Sequence, residues 1–246
     1  MTAHLVEMFS SIQGEGPYVG VRQIFLRFSG CNLKCAYCDT AYEFTPSFRV
    51  EGRPGSGVFV YLANPVEPDE VAEIVMQYNL DKSHSLSLTG GEPLLQAEFI
   101  KQLGLRFKKR GPKFYLETNG TLVSGLLEVI HLIDIISMDI KLPSTTKSGE
   151  LWDTHRDFLK AGAQKEIFVK AVVTDETTES EIIKTCEIIK EVNSQIPLIL
   201  QPVHSHSFFP GRDIPVDKLI IFQELAMDYI KDVRVIPQTH KFLGQL

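Results

Sequence analysis

Short apolar runs rich in β-branched and aromatic residues recur along the chain, and most are followed by a stretch whose apolar positions fall at helical spacing. The runs QIFLRFS (23–29), HSLSLT (84–89), KFYLET (113–118), DIISMDI (134–140), EIFVKAVV (166–173), PLILQPV (197–203) and DVRVIP (232–237) predict strands. Between most of them, PDEVAEIVMQYN, LLQAEFIKQLGLRFKKR, LVSGLLEVIHL, GELWDTHRDFLKAG, TTESEIIKTCEIIKEVN and VDKLIIFQELAMDYI predict helices. Six or seven such units predict an α/β fold with a parallel sheet closed into a full or partial barrel of (β/α)6 type, in one domain over residues 1–246. Residues 43–66, EFTPSFRVEGRPGSGVFVYLANPV, break the alternation with Pro and Gly and predict an inserted loop or hairpin on the functional face.

A parallel barrel carries its site on the loops that leave the C-terminal ends of its strands. Those ends read, in order, as a cysteine loop, GGEP (90–93), ETNG (117–120), MDIK (138–141) and QPVHSH (201–206). Polar residues and glycines therefore gather at one rim. Glu117, Ser137, Asp139 and Lys141 are the strand-end candidates for binding or catalysis, with Thr89 just before GGEP, and His204 or His206 after the sixth strand.

Composition narrows the ligand. The 246 residues are 43% hydrophobic and 23% charged, with a formal net charge of -6. That acidic balance argues against a surface built for nucleic-acid phosphates and favours a small molecule. No apolar run reaches membrane-spanning length and the N-terminus does not read as a secretion signal, so the expectation is a cytoplasmic protein with no membrane partner.

Three of the four cysteines, Cys31, Cys35 and Cys38, fall within eight positions in SGCNLKCAYCDT. In a reducing compartment a metal centre is favoured over a disulfide, which would also leave an odd thiol. A closed zinc site needs four ligands, and His204, His206 and His240 lie at no finger spacing. A cubane iron-sulfur cluster held by three thiolates instead leaves one iron open to a substrate or cofactor. The fourth cysteine, Cys186, sits in a helical stretch and reads as a small buried hydrophobe.

CNLKCAYC followed later by GGEP resembles the radical S-adenosylmethionine enzymes. The resemblance implies a 4Fe-4S cluster on Cys31, Cys35 and Cys38 whose open iron binds the methionyl end of S-adenosylmethionine, and reductive cleavage to a 5'-deoxyadenosyl radical. It implies Tyr37 beside the adenine and Gly90, Gly91 and Glu92 at the methionyl amine, with Asp39, Glu117, Ser137, Asp139, Lys141 and Gln201 as further cofactor contacts.

FSSIQGEGPYVGVRQIFLRFSGCNLKCAYCDT, with ETNG and QTHK (238–241), resembles more narrowly the 7-carboxy-7-deazaguanine synthase family. That resemblance implies radical ring contraction of 6-carboxy-5,6,7,8-tetrahydropterin with loss of ammonia. It implies substrate contacts from Ile12, Gln13, Gly14, Glu15, Arg27, Thr89 and His204, with Glu117 catalytic, and a magnesium ion on the Thr40 hydroxyl. An electron donor such as flavodoxin and a homodimer are implied too. The residues themselves support the roles: Gly14 and Gly16 let backbone approach a flat ligand, Gln13 and Glu15 offer donor and acceptor to a pterin edge, and Arg27 can grip a carboxylate with two hydrogen bonds. Two alternatives stand beside this reading: a radical enzyme that activates a protein partner, which shares the cysteine loop but in which IQGEG and CDT are not expected, and a non-catalytic metal-binding module whose cysteines hold zinc. The 43–66 insertion and the end HKFLGQL depart from the family pattern.

Overall fold

A computed structural model describes residues 1–38, 40, 42–107, 111–146, 149–203, 213–242 and 244. The chain opens with strand β1 (Leu5–Ile12), which returns antiparallel as β2 (Arg22–Phe28). A hairpin follows, β3 (Ser47–Glu51) and β4 (Phe59–Ala63), within the segment where Pro and Gly interrupt the sequence pattern. Regular βα alternation then sets in: α1 (Pro68–Gln77), β5 (Ser85–Gly90), α2 (Ala97–Arg106), β6 (Phe114–Thr118), α3 (Val123–Val129) and β7 (Ile135–Asp139). It continues through the short α4 (Pro143–Thr146), α5 (Trp152–Gly162), β8 (Glu166–Val173), α6 (Glu179–Asn193), β9 (Leu198–Pro202), α7 (Val216–Met227), β10 (Val233–Val235) and α8 (Thr239–Phe242).

All strands join one sheet in the order β10-β9-β8-β7-β6-β5-β2-β1-β3-β4. From β2 through β10 neighbouring strands run parallel, so the sheet is an open, partial barrel with the helices in sequence along one face. This is the mixed α/β fold the alternation predicts. β1 is not among the predicted strands, because a tight turn follows it rather than a helix.

Period-two alternation explains how the sheet buries both faces. On the helix face Ile24, Leu26, Phe28, Leu86, Leu88, Leu116, Ile136, Met138, Val169 and Leu200 form one apolar cluster with the helices. On the concave face Tyr115, Ile135, Phe168 and Ile199, with Tyr18 and Ile236, make a separate small apolar plug at the strands' N-terminal halves. Going towards the strands' C-terminal ends, the same concave face turns polar: Arg27, Thr89, Glu117, Asp139, Lys170 and Gln201 all line a cavity. Cys186 is fully buried in α6, and burial pushes its thiol to about 12, so it is packing rather than chemistry.

α6 starts with a capping box in which Thr178 Oγ1 accepts from the Glu181 amide and Glu181 Oε2 accepts from the Thr178 amide. Its other carboxylate oxygen accepts from the Ser144 amide at 2.7 Å, fastening α4 over the end of β7. α5 carries a fully buried histidine, His155, whose Nε2 lies 3.1 Å from the Asn119 carbonyl oxygen and, with its hydrogen there, donates to it.

Burial pushes the His155 imidazole down to about 4. Between its ordinary value near 6.5 and about 4 the unfolded chain therefore takes up a proton that the folded chain refuses. The stability in question is whole above pH 6.5 and drains away as pH falls towards 4. Urea unfolding at pH 7 and pH 5 should show a loss of about 2 kcal/mol attributable to this group, at 1.36 kcal/mol per pH unit. His155→Gln should flatten that slope; an identical slope in the variant counts against the assignment.

Candidate active site

Strand register sets the cavity's rows. Arg27 on β2 is paired with Thr89 on β5, Glu117 on β6 with Ser137 on β7, and Asp139 on β7 with Lys170 on β8. Side chains that alternate inward on parallel neighbours therefore stack as a ring of polar groups around a cavity of about 510 Å³. Such a volume suits a cofactor and a small substrate together.

The cysteine loop leaves β2 at one side of the ring. Cys31, Cys35 and Cys38 are all free thiols lining the cavity. Burial pushes the Cys31 and Cys35 thiols above their usual range. Cys31 Sγ accepts from the Leu33 amide at 3.4 Å and from Asn119 Nδ2 at 3.9 Å. Among the described residues no three Cys, His, Asp or Glu side chains converge to hold a single metal ion.

GGEP crosses directly beside this loop. A Cβ at Gly91 would lie 1.9 Å from the Gly30 carbonyl oxygen, so only glycine allows the two turns to touch. The Glu92 amide then donates to that same Gly30 oxygen at 2.8 Å. Gly90 and Gly91 line the cavity, but Glu92 does not. Its fully buried carboxylate turns inward to accept from the Leu94 amide, Thr118 Oγ1 and the Asn119 amide at 3.1, 2.9 and 2.7 Å. Burial lifts it to about 7 in spite of those donors. The Glu92 side chain thus braces two loops, and any contact of GGEP with a cofactor falls to its backbone, as the motif reading has it. Ser137 is also absent from the lining: it sits one inward step deeper than Asp139 and hydrogen-bonds Tyr115.

A chain of buried charges crosses the floor. Lys141 Nζ donates to Asp139 Oδ2 at 2.6 Å and to Tyr37 Oη at 3.1 Å. Asp139 Oδ1 faces Lys170 Nζ at 3.4 Å, and Lys170 Nζ in turn donates to Glu15 Oε2. Burial alone would raise the Glu15 carboxyl, but the Lys170 charge outweighs it and holds Glu15 at about 2. Asp139 is held low in the same way by Lys141 and Lys170 against its burial. Both lysines, though buried, are kept well above their ordinary value by the carboxylates around them.

The IQGEG turn leans over this floor. Gln13 Nε2 donates to Glu117 Oε1 at 3.0 Å and Gln23 Oε1 at 2.9 Å, while Gln13 Oε1 accepts from the Glu15 amide. Glu117 also accepts from Ser87 Oγ at 3.2 Å and Thr89 Oγ1 at 2.9 Å. QTHK comes back from the far end of the chain to hold the turn: Gln238 Nε2 donates to Glu15 Oε1 at 2.8 Å and the Thr239 amide to the Gly14 oxygen at 2.9 Å. A Cβ at Gly14 would meet His240 Nδ1 at 2.3 Å, so the glycine is the seat of that contact.

Opposite, Arg27 does face the cavity, as strict alternation requires. Glu7 of β1 binds it through Oε1 at 2.7 Å and binds Arg49 of β3 through Oε2 at 2.5 Å, and the Arg49 guanidinium lies 4.5 Å from the Phe59 ring centroid. Thr40, Ile12, Tyr37 and Gln201 also line the cavity, and Gln201 Oε1 is buried without a partner among the described residues. Asp39 and His204, both expected at the site, lie outside the described residues, as does His206. The sequence reading missed Glu7, Arg49, Lys170 and Asn119: the first two sit on strands without a βα signature, Lys170 lies mid-strand rather than at a rim, and Asn119 was visible only as a letter of ETNG.

The model of the Radical SAM superfamily matches residues 26–195. The chain is 48% identical to 7-carboxy-7-deazaguanine synthase of Geobacter sulfurreducens, covering 99% of this chain and 98% of that one. It is 37% identical to the synthase of Archaeoglobus fulgidus, covering 99% of both. Among solved structures, QueE from Escherichia coli shares the fold with a TM-score of 0.58 at 19% identity, over 98% of this chain and 95% of that one. With the cysteine loop, the glycine pair and the IQGEG turn on one cavity, the chain belongs to the radical S-adenosylmethionine superfamily and, within it, to the 7-carboxy-7-deazaguanine synthase family.

Proposed function

We propose that this chain converts 6-carboxy-5,6,7,8-tetrahydropterin to 7-carboxy-7-deazaguanine with loss of ammonia, a radical lyase step in 7-deazapurine biosynthesis. The observation that carries the reading is that the three free thiols, Gly90 and Gly91 share one cavity with Gln13, Glu15, Arg27, Thr89 and Glu117. A protein-activating enzyme would need that cavity for a polypeptide loop rather than for a ring of pterin-sized donors and acceptors.

The donor set fits a 4Fe-4S cluster: three thiols on one loop, with N–H groups already aimed at Cys31 sulfur. With S-adenosylmethionine bound and one electron from an external donor, a cluster held there would supply reductive cleavage of the sulfonium to methionine and a 5'-deoxyadenosyl radical, the group that would take hydrogen from substrate carbon 6. Tyr37, Asp139, Lys141 and Gln201 are proposed to receive the cofactor, with the backbone at Gly90 and Gly91 close to its methionyl end. Gln201 brings an amide oxygen with no other partner among the described residues.

On the substrate side Glu15 is ionised at neutral pH because Lys170 neutralises it, so it can accept from pterin N–H groups while Gln13 and Glu117 complete the edge. Arg27 is oriented by Glu7 towards a substrate carboxylate. Thr40, at the end of the cysteine loop, offers its hydroxyl to a magnesium ion shared with that carboxylate, a single protein ligand being enough for a cation that keeps several waters. An electron donor such as flavodoxin, one domain over the whole chain and a homodimer belong to the same proposal. The edge strand β4, with Val60, Tyr61 and Leu62 exposed, supports pairing with a second copy.

Anaerobically reconstituted, reduced protein given the pterin and S-adenosylmethionine should form the ring-contracted product; an active cluster that cleaves the cofactor without that product ends the reading. Metal analysis should give about four irons per chain, as one cubane cluster requires, rather than zinc. Thr40→Ala should lose stimulation by magnesium while retaining reductive cleavage of S-adenosylmethionine. A variant that responds to magnesium as the wild type does removes Thr40 from the metal.

A further inference from the structure

Asn119 follows Glu117 and Thr118 on the turn that leaves β6, and its side chain closes a ring of hydrogen bonds with the cysteine loop. Its Nδ2 donates to Asn32 Oδ1 at 2.8 Å, Asn32 Nδ2 donates to Thr121 Oγ1 at 2.9 Å, and Thr121 Oγ1 donates back to Asn119 Oδ1 at 2.5 Å. The Thr121 amide adds a second bond to Asn119 Oδ1 at 3.1 Å. With Oδ1 held by Thr121 on one side, the amide plane cannot turn. The same Nδ2 then faces Cys31 Sγ at 3.9 Å. The backbone of residue 119 is fixed separately, its amide by Glu92 and its carbonyl by His155.

From this geometry we infer that Asn119 is a positioning residue for the iron-sulfur cluster: it locks the cysteine loop to β6 through Asn32 and donates a hydrogen bond to the Cys31 sulfur that raises the cluster's reduction potential. The physical reason is general. An N–H group directed at a thiolate withdraws charge from it, so the extra electron of the reduced cluster is better accommodated. Thr121 acts through Asn119 by fixing which way its amide points. The inference rests on the cluster reading of the three cysteines and is independent of what substrate the radical meets.

The test is an EPR-monitored redox titration of the reconstituted holoprotein without S-adenosylmethionine or pterin. Asn119→Ala removes the side chain but leaves both backbone anchors of residue 119. It should still hold four irons, and its reduction equilibrium should become about tenfold less favourable, a fall of about 59 mV for one electron. Thr121→Val removes the hydroxyl that bonds Asn119 Oδ1 and accepts from Asn32, leaving the backbone amide as the one Thr121 group on Asn119 Oδ1, and should shift the potential the same way by less. A wild-type potential in Asn119→Ala overturns the inference. Should that variant fail to retain its cluster, Thr121→Val alone decides: a lowered potential supports the inference and an unchanged one overturns it. A wild-type holoprotein that has a normal cluster but makes no ring-contracted product would instead overturn the proposed reaction and leave this inference standing.

Discussion

Charges taken out of water must be neutralised where they lie, and this site is organised around that requirement. Glu15, Lys170, Asp139 and Lys141 form an alternating series in which each buried group is flanked by the opposite sign. Their attraction is amplified by the low polarity of the surroundings, and removing one member would strand its neighbours at a cost of about 3–5 kcal/mol, as for other buried pairs. Because the four come from the IQGEG turn, β7, the loop after β7 and β8, the series also fixes how these parts sit on one another. The proposed cofactor side, at Lys141 and Tyr37, and the proposed substrate side, at Glu15, are joined through Asp139 and Lys170.

The apolar architecture makes such a series affordable. Helices pack against one face of the sheet, and the aromatic plug of Tyr115 and Phe168 fills the lower half of the other. The charged groups Arg27, Glu117, Asp139 and Lys170 sit on the upper concave face, and it is there that the strands end and the loops begin. Loops that must approach one another do so through glycine: Gly91 against Gly30, and Gly14 against His240. The bracing carboxylate Glu92 then ties the GGEP turn to the ETNG turn from beneath, so that backbone rather than side chain is what the turn presents to the cavity.

Much of this was legible in the sequence, for identifiable reasons. β2 and β5 to β10 announce themselves by apolar runs, most of them followed by helical spacing, and the C-terminal residues of most of them name the rim. What escaped was whatever depends on a partner far away in sequence. Lys170 reads as an interruption in EIFVKAVV until register places it beside Asp139. Glu92 looks like a cofactor ligand because it belongs to a motif, yet the direction of its side chain is set by Thr118 and Asn119, 26 and 27 residues on. Asn119, likewise, acquires its meaning only from Asn32 on another loop, 87 residues earlier.

The hairpin shows how an inserted element reaches the chemistry without belonging to the barrel. β3 meets β1 through only two paired positions, Glu7 with Arg49 and Met8 with Val50. That register is what lets one carboxylate hold a guanidinium from the barrel strand β2 and another from the hairpin. A slip of one residue would turn Arg49 to the opposite face and bring Phe48 or Val50 against Glu7, leaving half of a buried carboxylate without a cation. The packing of Phe48 and Val50 in the main apolar cluster opposes that slip, since both would have to leave it. The hydrophobic face of β3 thus determines the charge on the cavity wall, although none of its apolar side chains touches the cavity.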